Sequence, residues 1–398
     1  MKKFHLLIGF FAIALPIPFS CSPSDVYDAE KAKHTTDLAV PADFDWSTTH
    51  IATYSIATPV DTRVSIYGDR SCTDQSMLAD IALRQSQPTE VTLELPKEAQ
   101  AIYIQYPTAT GTRIMTVPVT TTTRAGSETM LPEDAVSSEG GKDGRYYYYI
   151  PSKKNDGTLL FEDNYPNLGD YDMNDYVAYY RIESAIANDS PNPNMGADIS
   201  LTIRAIGGTK PYRLALELPV LTGDVRNQYT VTSTHPSVSI ELISTDDNQP
   251  AIFAVNGTNS LREGSFYNTE EQSSQSPCQL TLSFESNCYD DISKSFRFWA
   301  LASSTSYNFF LQNTSTREEI HLKGYNTTHL ASNSGTSFAS ADNFVWGIKV
   351  PEAIPHPKEN IDIKFAFPHF EDWVRSGGEN GTGSNWYKTS QNKGCLIH

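Results

Sequence analysis

Cysteine, basic residues and helical periodicity are all scarce in this chain, and each shortage removes a class of function. Of five cysteines in 398 residues, one stands at position 21; Cys72, Cys278, Cys288 and Cys395 have neither zinc-ligand spacing nor a recognisable nucleophile motif. Thirty Lys and Arg face 47 Asp and Glu, a formal charge of −17. That balance repels phosphates and excludes nucleic acid as a partner. No Gly-x-Ser-x-Gly elbow, Walker loop or His-Glu-x-x-His helix occurs, which argues against the hydrolase and nucleotide chemistries that need them. His321, His329, His356 and His369 fit no metal-binding spacing. Long helical patterns are missing, so the elements must be strands.

One apolar run is present, from Phe4 to Phe19 after Met1-Lys2-Lys3. It is short and interrupted by Pro16 and Pro18, too little for a spanning helix. Followed by Ser20-Cys21-Ser22, it reads as a secretory signal over residues 1–20, with Cys21 becoming the lipid-bearing first residue of the mature protein. Pro18 stands where the usual lipobox has Leu, so ordinary signal-peptidase cleavage nearby is the alternative, and either route exports the chain. Removing Lys2 and Lys3 with the signal leaves −19. Residues 21–43 are polar and unpatterned and read as a tether.

Short alternating runs begin after Phe44-Asp45-Trp46, at Ile51–Ile56, Arg63–Tyr67, Glu90–Leu95, Ala101–Tyr106 and Thr116–Val119. They predict a small immunoglobulin-like β-sandwich over residues 44–120, with one or two helical turns at Met77–Arg84. The Thr-rich and Gly-rich stretch 121–145 reads as a linker. Residues 146–398 predict a larger β-sandwich or jelly-roll-like domain, with strands at Ala197–Ile206, Tyr212–Leu218 and Phe296–Leu301 and one short C-terminal helix, where Phe370, Trp373 and Val374 share a face.

The most distinctive segment runs from Phe161 to Val177: Phe161-Glu162-Asp163, then Gly169-Asp170-Tyr171-Asp172-Met173-Asn174-Asp175. Alternate oxygen-bearing side chains on a tight turn can converge on a hard cation that takes six to eight oxygens. An EF-hand is excluded, because its sixth and twelfth positions would hold Asp175 and Arg181 and its flanks, Gly157–Phe161 and Tyr176–Ile182, are strand-like. The expected metal is calcium, with Asp170, Asp172, Asn174 and Asp175 as ligands and Glu162 and Asp163 as bidentate or supporting groups. A polar turn whose Asp and Asn merely cap the backbone is the alternative.

This turn, the middle segment Glu319–Tyr325, Trp346–Glu352, the run Phe367-Pro368-His369-Phe370 through Trp373 to Ser376-Gly377-Gly378, and Trp386-Tyr387 together resemble the LruC family. That family overlaps a domain of unknown function found in bacterial lipoproteins. The resemblance covers about residues 146 to 390 and implies fold, export and metal, but no activity. The acidic residues Asp25, Asp28 and Glu30 resemble the tether by which some Bacteroidetes lipoproteins reach the outer surface.

Two further features concern partners. Trp373, Trp386 and Tyr387 lie among glycines and are candidates for stacking on a glycan, with packing against the sandwich as the alternative. Cys278 and Cys288 flank an alternating strand and would bridge if the chain turned back, while two free thiols fit equally well. The expected function is an outer-membrane-anchored binding or structural protein, with a glycan or a surface protein as its partner and no catalysis. A glycosidase-like enzyme acting on polysaccharide and a fimbria-like assembly subunit are the competing classes.

Overall fold

The computed structural model describes residues 34–119, 128–141, 145–187, 194–270, 275–287, 307–334, 337–378 and 381–398. The expected signal, Cys21 and the tether up to residue 33, together with Cys288 and the strand expected at Phe296–Leu301, lie outside them; the rest of the expected tether, residues 34–43, is instead packed, with Thr35 buried and its N–H donating to Asp362 Oδ2 at 2.6 Å and Leu38 buried in an apolar core. Among the described residues no helix is long and apolar enough to cross a membrane.

The alternating segments are strands, and the chain is mainly β. In order these are β1 (Thr49–Ala57), β2 (Thr62–Tyr67), β3 (Met77–Leu83), β4 (Thr89–Pro96), β5 (Ala101–Thr108), β6 (Gly111–Pro118), β7 (Thr129–Met130), β8 (Arg145–Ile150), β9 (Gly157–Phe161), β10 (Tyr176–Ala187) and β11 (Asn194–Ala205). They continue as β12 (Tyr212–Leu221), β13 (Tyr229–Ser233), β14 (Ser239–Leu242), β15 (Pro250–Asn256), β16 (Cys278–Asn287), β17 (Asn308–Asn313), β18 (Glu319–His321), β19 (Gly347–Val350), β20 (His356–Pro357) and β21 (Leu396–Ile397). The helical turns expected at Met77–Arg84 are instead β3. Every residue of β3 except Asp80 is buried, and a strand covered on both faces loses the alternation that would distinguish it from a helical turn.

One long sheet follows the order β13-β16-β11-β10-β8-β3-β2-β5-β6. It forks at β10, whose first residues pair with β9 and whose later residues pair with β8; β19 adds to the far side of β9. The pairing of Ala79–Ile81 with Tyr146–Tyr148 joins the N-terminal strands to those after residue 145. His34 to His398 accordingly form one compact unit. The divisions at residues 120 and 145 mark a change in composition, not a break in the structure.

Two smaller sheets cover the long one. Strands β4-β1-β7 bring Tyr54, Ile56, Val91 and Leu93 against Val64, Ile66, Ile81 and Ile104, while β14-β15-β12-β17-β18 bring Leu214, Leu216, Phe253 and Phe309 against Ile199, Leu280, Leu282 and Phe284. Contact between the layers is direct: the Phe253 and Phe284 rings are 5.5 Å apart at 78°, and Tyr180 and Phe309 are also 5.5 Å apart. Alternation along β9 then creates a second core. Leu159 and Phe161 face the first, and Leu160, with Val177 and Ala205, faces a block built from Ile363, Phe367, Phe370, Trp373 and Trp386 and closed by Leu38, Phe44 and Trp46. This block holds the expected C-terminal helix, Phe370–Ser376, which stops where Gly377 turns left-handed at φ 62°. A further helical turn, Ile363–Ala366, precedes it and is capped by the Asp362 carboxylate.

Candidate metal centre

The Asp-rich segment connects β9 to β10 at the fork, where Phe161 and Tyr176 are directly paired. Its backbone is turned by alternation: Gly169, Tyr171 and Met173 have φ values of 69°, 61° and 56°. Left-handed backbone costs a non-glycine residue on the order of 1 kcal/mol or more. Here it sends Tyr171 and Met173 fully into the second core, leaving Asp170, Asp172 and Asn174 at the intervening positions. Backbone amides on such a curve converge, and the Met173 N–H donates to Glu162 Oε1 at 2.6 Å.

One carboxylate oxygen from each of Glu162, Asp170 and Asp172 lies within 4.8 Å of the others, with Glu162 and Asp172 buried and Asp170 exposed. Asp172 is held in place by the Asn174 N–H, which donates to Oδ1 at 3.1 Å, and by the Asn360 N–H, which donates to Oδ2 at 2.9 Å. Asn174 orients its amide by donating from Nδ2 to Asp172 Oδ2 at 2.8 Å and to the Pro357 carbonyl at 3.3 Å. Among the described residues its Oδ1 is left without a hydrogen-bond partner, as is Glu162 Oε2. Both side chains are fully buried, and an unpaired buried oxygen costs about 1–3 kcal/mol, more when it carries charge.

The six expected ligands therefore divide. Glu162, Asp170 and Asp172 converge, with Asn174 beside Asp172. Asp163 and Asp175 form a separate pair, the Asp163 N–H donating to Asp175 Oδ2 at 2.7 Å. Asp163 Oδ2 accepts the Lys210 N–H at 3.0 Å, and the Lys210 ammonium donates to the Asp163 carbonyl at 3.0 Å. These two residues fasten the hairpin to the segment after β11.

Two neighbours of the site are not apparent in the local motif. Gly207 and Gly208 donate their N–H groups to the carbonyls of Asn174 and Asp175 at 3.0 and 3.1 Å. A Cβ at Gly207 would lie 2.1 Å from Asn174 Oδ1, and one at Gly208 would lie 2.3 Å from Asp163 Oδ2, so only glycine allows this close approach. The Gly-Gly pair at a strand end is the signal that could have placed this segment against another backbone. Glu359, from the C-terminal part of the chain, also faces the cluster, and it belongs to no motif.

Burial and repulsion raise the acids together. Burial, with the nearby charges of Asp175 and Asp172, holds Glu162 well above the ordinary carboxyl range. Burial, reinforced by Asp170 and Asp175, pushes Asp172 up to about 9. Asp175 rises to about 7, through burial and the Asp163 charge. Burial also raises Asp163 and Glu359. A carboxyl raised as far as that of Asp172 holds its proton at neutral pH unless a cation takes its place. The donors are oxygens without thiolate or imidazole, a set suited to a hard divalent cation such as calcium rather than to a transition metal. Because the carboxylates turn inward on one point, they do not form the opposed pair across a groove that glycoside cleavage needs.

The remaining expected sites resolve differently. Trp373, Trp386 and Tyr387 have no exposed surface. Trp373 packs on Phe44 at 4.8 Å and Trp386 on Phe370 at 4.9 Å, both edge-on, so these rings are core and not a glycan platform. The adjacent glycines serve that packing. A Cβ at Gly383 would come within 2.7 Å of the Trp373 backbone nitrogen. Cys278 is buried at the start of β16 and has no disulfide partner among the described residues. Its expected partner, Cys288, lies outside the described residues. His321 and His356 are buried hydrogen-bonded residues, the former bridging Glu319 Oε2 at 2.9 Å and Asn308 Oδ1 at 2.8 Å and the latter meeting the Asn268 carbonyl at 2.7 Å.

Comparison with known proteins agrees with this architecture. Residues 195–387 match the family model described as Domain of unknown function (DUF4842), and residues 62–131 match Domain of unknown function (DUF4841). The fold is similar to that of a crystal structure from Bacteroides ovatus described as a "Putative lipoprotein", with a TM-score of 0.65 and 19% identity, covering 85% of this chain and 100% of that one. No curated protein matches the chain.

Proposed function

We propose that the chain is an exported, lipid-anchored envelope protein whose β scaffold is locked by calcium at the β9–β10 hairpin. Its role is binding or structural rather than catalytic. The observation that carries the metal is the pair of fully buried oxygens without partners, Glu162 Oε2 and Asn174 Oδ1, beside the converging Glu162, Asp170 and Asp172. Neutral capping of a turn would leave no such oxygens. Glu162, Asp170, Asp172 and the Asn174 amide oxygen are the ligands in this reading. Asp163 and Asp175 support them by holding the hairpin against Gly208 and Lys210.

Export and anchoring are supported by the signal pattern ending at Cys21 and by the lipoprotein description of the similar Bacteroides ovatus structure. The LruC-type motifs of the C-terminal part and the acidic residues after Cys21 favour an outer-membrane lipoprotein facing the exterior, with a glycan or a surface protein as its partner. The test is calcium titration by isothermal calorimetry, with melting in calcium and in chelator. Saturable binding with a rise in Tm is expected, since a ligand at 100 times its Kd adds about 2.7 kcal/mol. Absence of binding would overturn the calcium lock.

A further inference from the structure

We infer that Glu359 is an additional ligand of this cation site, and that the bound cation thereby clamps the C-terminal part of the chain onto the β9–β10 hairpin. The inference rests on the calcium reading above and adds to it a residue from a distant part of the sequence. Glu359 Oε2 is inaccessible and has no hydrogen-bond partner among the described residues. It would lie 2.9 Å from a Cβ at Gly207, and Asn174 Oδ1 would lie 2.1 Å from the same point. The two oxygens are therefore no more than 5.0 Å apart. Both are acceptors, and among the described residues neither oxygen receives a hydrogen bond, the Thr269 hydroxyl standing beside the Glu359 carboxyl without closing one to Oε2. The N–H of Gly207 itself is committed to the Asn174 carbonyl. Two buried acceptors facing each other without a donor repel, and a cation between them turns that repulsion into attraction.

The segment around Glu359 is already aligned for this role. The Asn360 N–H donates to Asp172 Oδ2, the Pro357 carbonyl accepts from Asn174 Nδ2, and the Ile363 N–H donates to the Tyr171 carbonyl at 3.0 Å. The Glu359 N–H donates to the Thr269 carbonyl at 3.1 Å. Its carboxylate is thus presented to the hairpin with little left to order on binding. Ile363, Phe367, Phe370 and Trp373 follow directly and fill the second core. Occupancy of the site is coupled through residues 357–363 to the docking of that block.

The experiment is calorimetry with calcium alone on the wild-type protein, Glu359→Gln and Glu359→Asp, together with hydrogen exchange of the wild type in calcium and in chelator. Glu359→Gln keeps the shape and removes the charge. It is expected to bind calcium at least tenfold more weakly, without a lower Tm in chelator, and Glu359→Asp is expected to fall between. In the wild type, amides 359–363 are expected to exchange at least tenfold faster in chelator. Calcium binding by the wild type with Glu359→Gln within twofold of it would overturn the assignment of Glu359 and leave the calcium lock standing. Equal exchange in the two conditions would overturn the clamp, and failure of the wild type to bind calcium would overturn both readings.

Discussion

The hydroxyl of Tyr171 and the backbone of Val345 are joined twice: the hydroxyl donates to the Val345 carbonyl at 3.0 Å, and the Val345 N–H donates back to the same oxygen at 3.3 Å. This fixes the crown of the Asp-rich hairpin to the segment leading into β19, at a residue whose left-handed φ of 61° must be stabilised by its surroundings. Tyr171→Phe keeps the ring, which packs edge-on to Phe344 at 5.8 Å, and strips both hydrogen bonds from a buried backbone. A loss of about 1–3 kcal/mol is expected, read as a lower urea midpoint at unchanged m. An unchanged midpoint would show that the hairpin is anchored elsewhere.

Asp172→Asn removes the charge of the proposed ligand and one of its two accepting oxygens. The new side-chain oxygen can still accept from the Asn360 N–H, as Asp172 Oδ2 does; the amide nitrogen in place of Oδ1 no longer accepts from the Asn174 N–H, while the cost of keeping a proton on the buried carboxyl disappears. These two changes oppose each other, so in chelator the variant should melt near the wild-type temperature. In calcium it should lose most of the calcium-dependent rise, because a neutral oxygen replaces a carboxylate at a hard cation. Equal loss of stability in both conditions would mean that Asp172 is structural only.

The strand boundaries around the site were legible because they are local. Gly157–Phe161 and Tyr176 onward combine aromatic and β-branched residues, and they are β9 and the start of β10. The convergence of Glu162 with Asp170 and Asp172 was legible for the same reason, as these residues share one turn. Glu359 was hidden because its proximity comes from tertiary packing, which no periodicity encodes. The fork at β10 and the pairing of β3 with β8 were hidden likewise. Composition marks 121–145 as a linker, yet strands on either side of it hydrogen-bond to one another. Trp373, Trp386 and Tyr387 misled because neighbouring glycines resemble an exposed loop, whereas here they let backbone approach large buried rings.

The raised carboxyl groups set the pH dependence. A carboxyl whose folded pKa lies above its unfolded value keeps its proton in the native state after the unfolded chain has released it, so stability falls as pH rises between the two values. For Asp172 that window runs from the ordinary range near 4 to about 9, and for Asp175 to about 7. Buried His356 acts in the opposite sense. Burial lowers its pKa to about 4, so its contribution is lost as pH falls from 6.5 towards 4. The clean window is therefore pH 7 to 9, where His356 is neutral in both states. The calcium-free protein should lose Tm across it, and saturating calcium should flatten the profile. Calcium binding at pH 7 should also release protons, detectable as a dependence of the calorimetric heat on buffer ionisation enthalpy. A flat profile in chelator would contradict the burial of these acids.

Gly207→Ala tests the close approach that assembles the site from three parts of the chain. Its Cβ would meet Asn174 Oδ1 at 2.1 Å, Glu359 Oε2 at 2.9 Å and the Asn174 carbonyl at 3.1 Å. The carbonyl cannot retreat freely, because it accepts the Gly207 N–H itself. The methyl must either separate Asn174 from Glu359 or push the hairpin off the segment after β11. A loss of about 1–3 kcal/mol is expected from overpacking, together with weaker calcium binding. Gly394→Ala is the control, since its Cβ makes an ordinary contact with Asn392 Oδ1 at 3.5 Å, and it should melt near the wild type. If Gly207→Ala matched that control in both Tm and calcium affinity, Asn174 and Glu359 would not share a tightly packed point. The three-segment construction of the site would then fail even if calcium still bound at the hairpin.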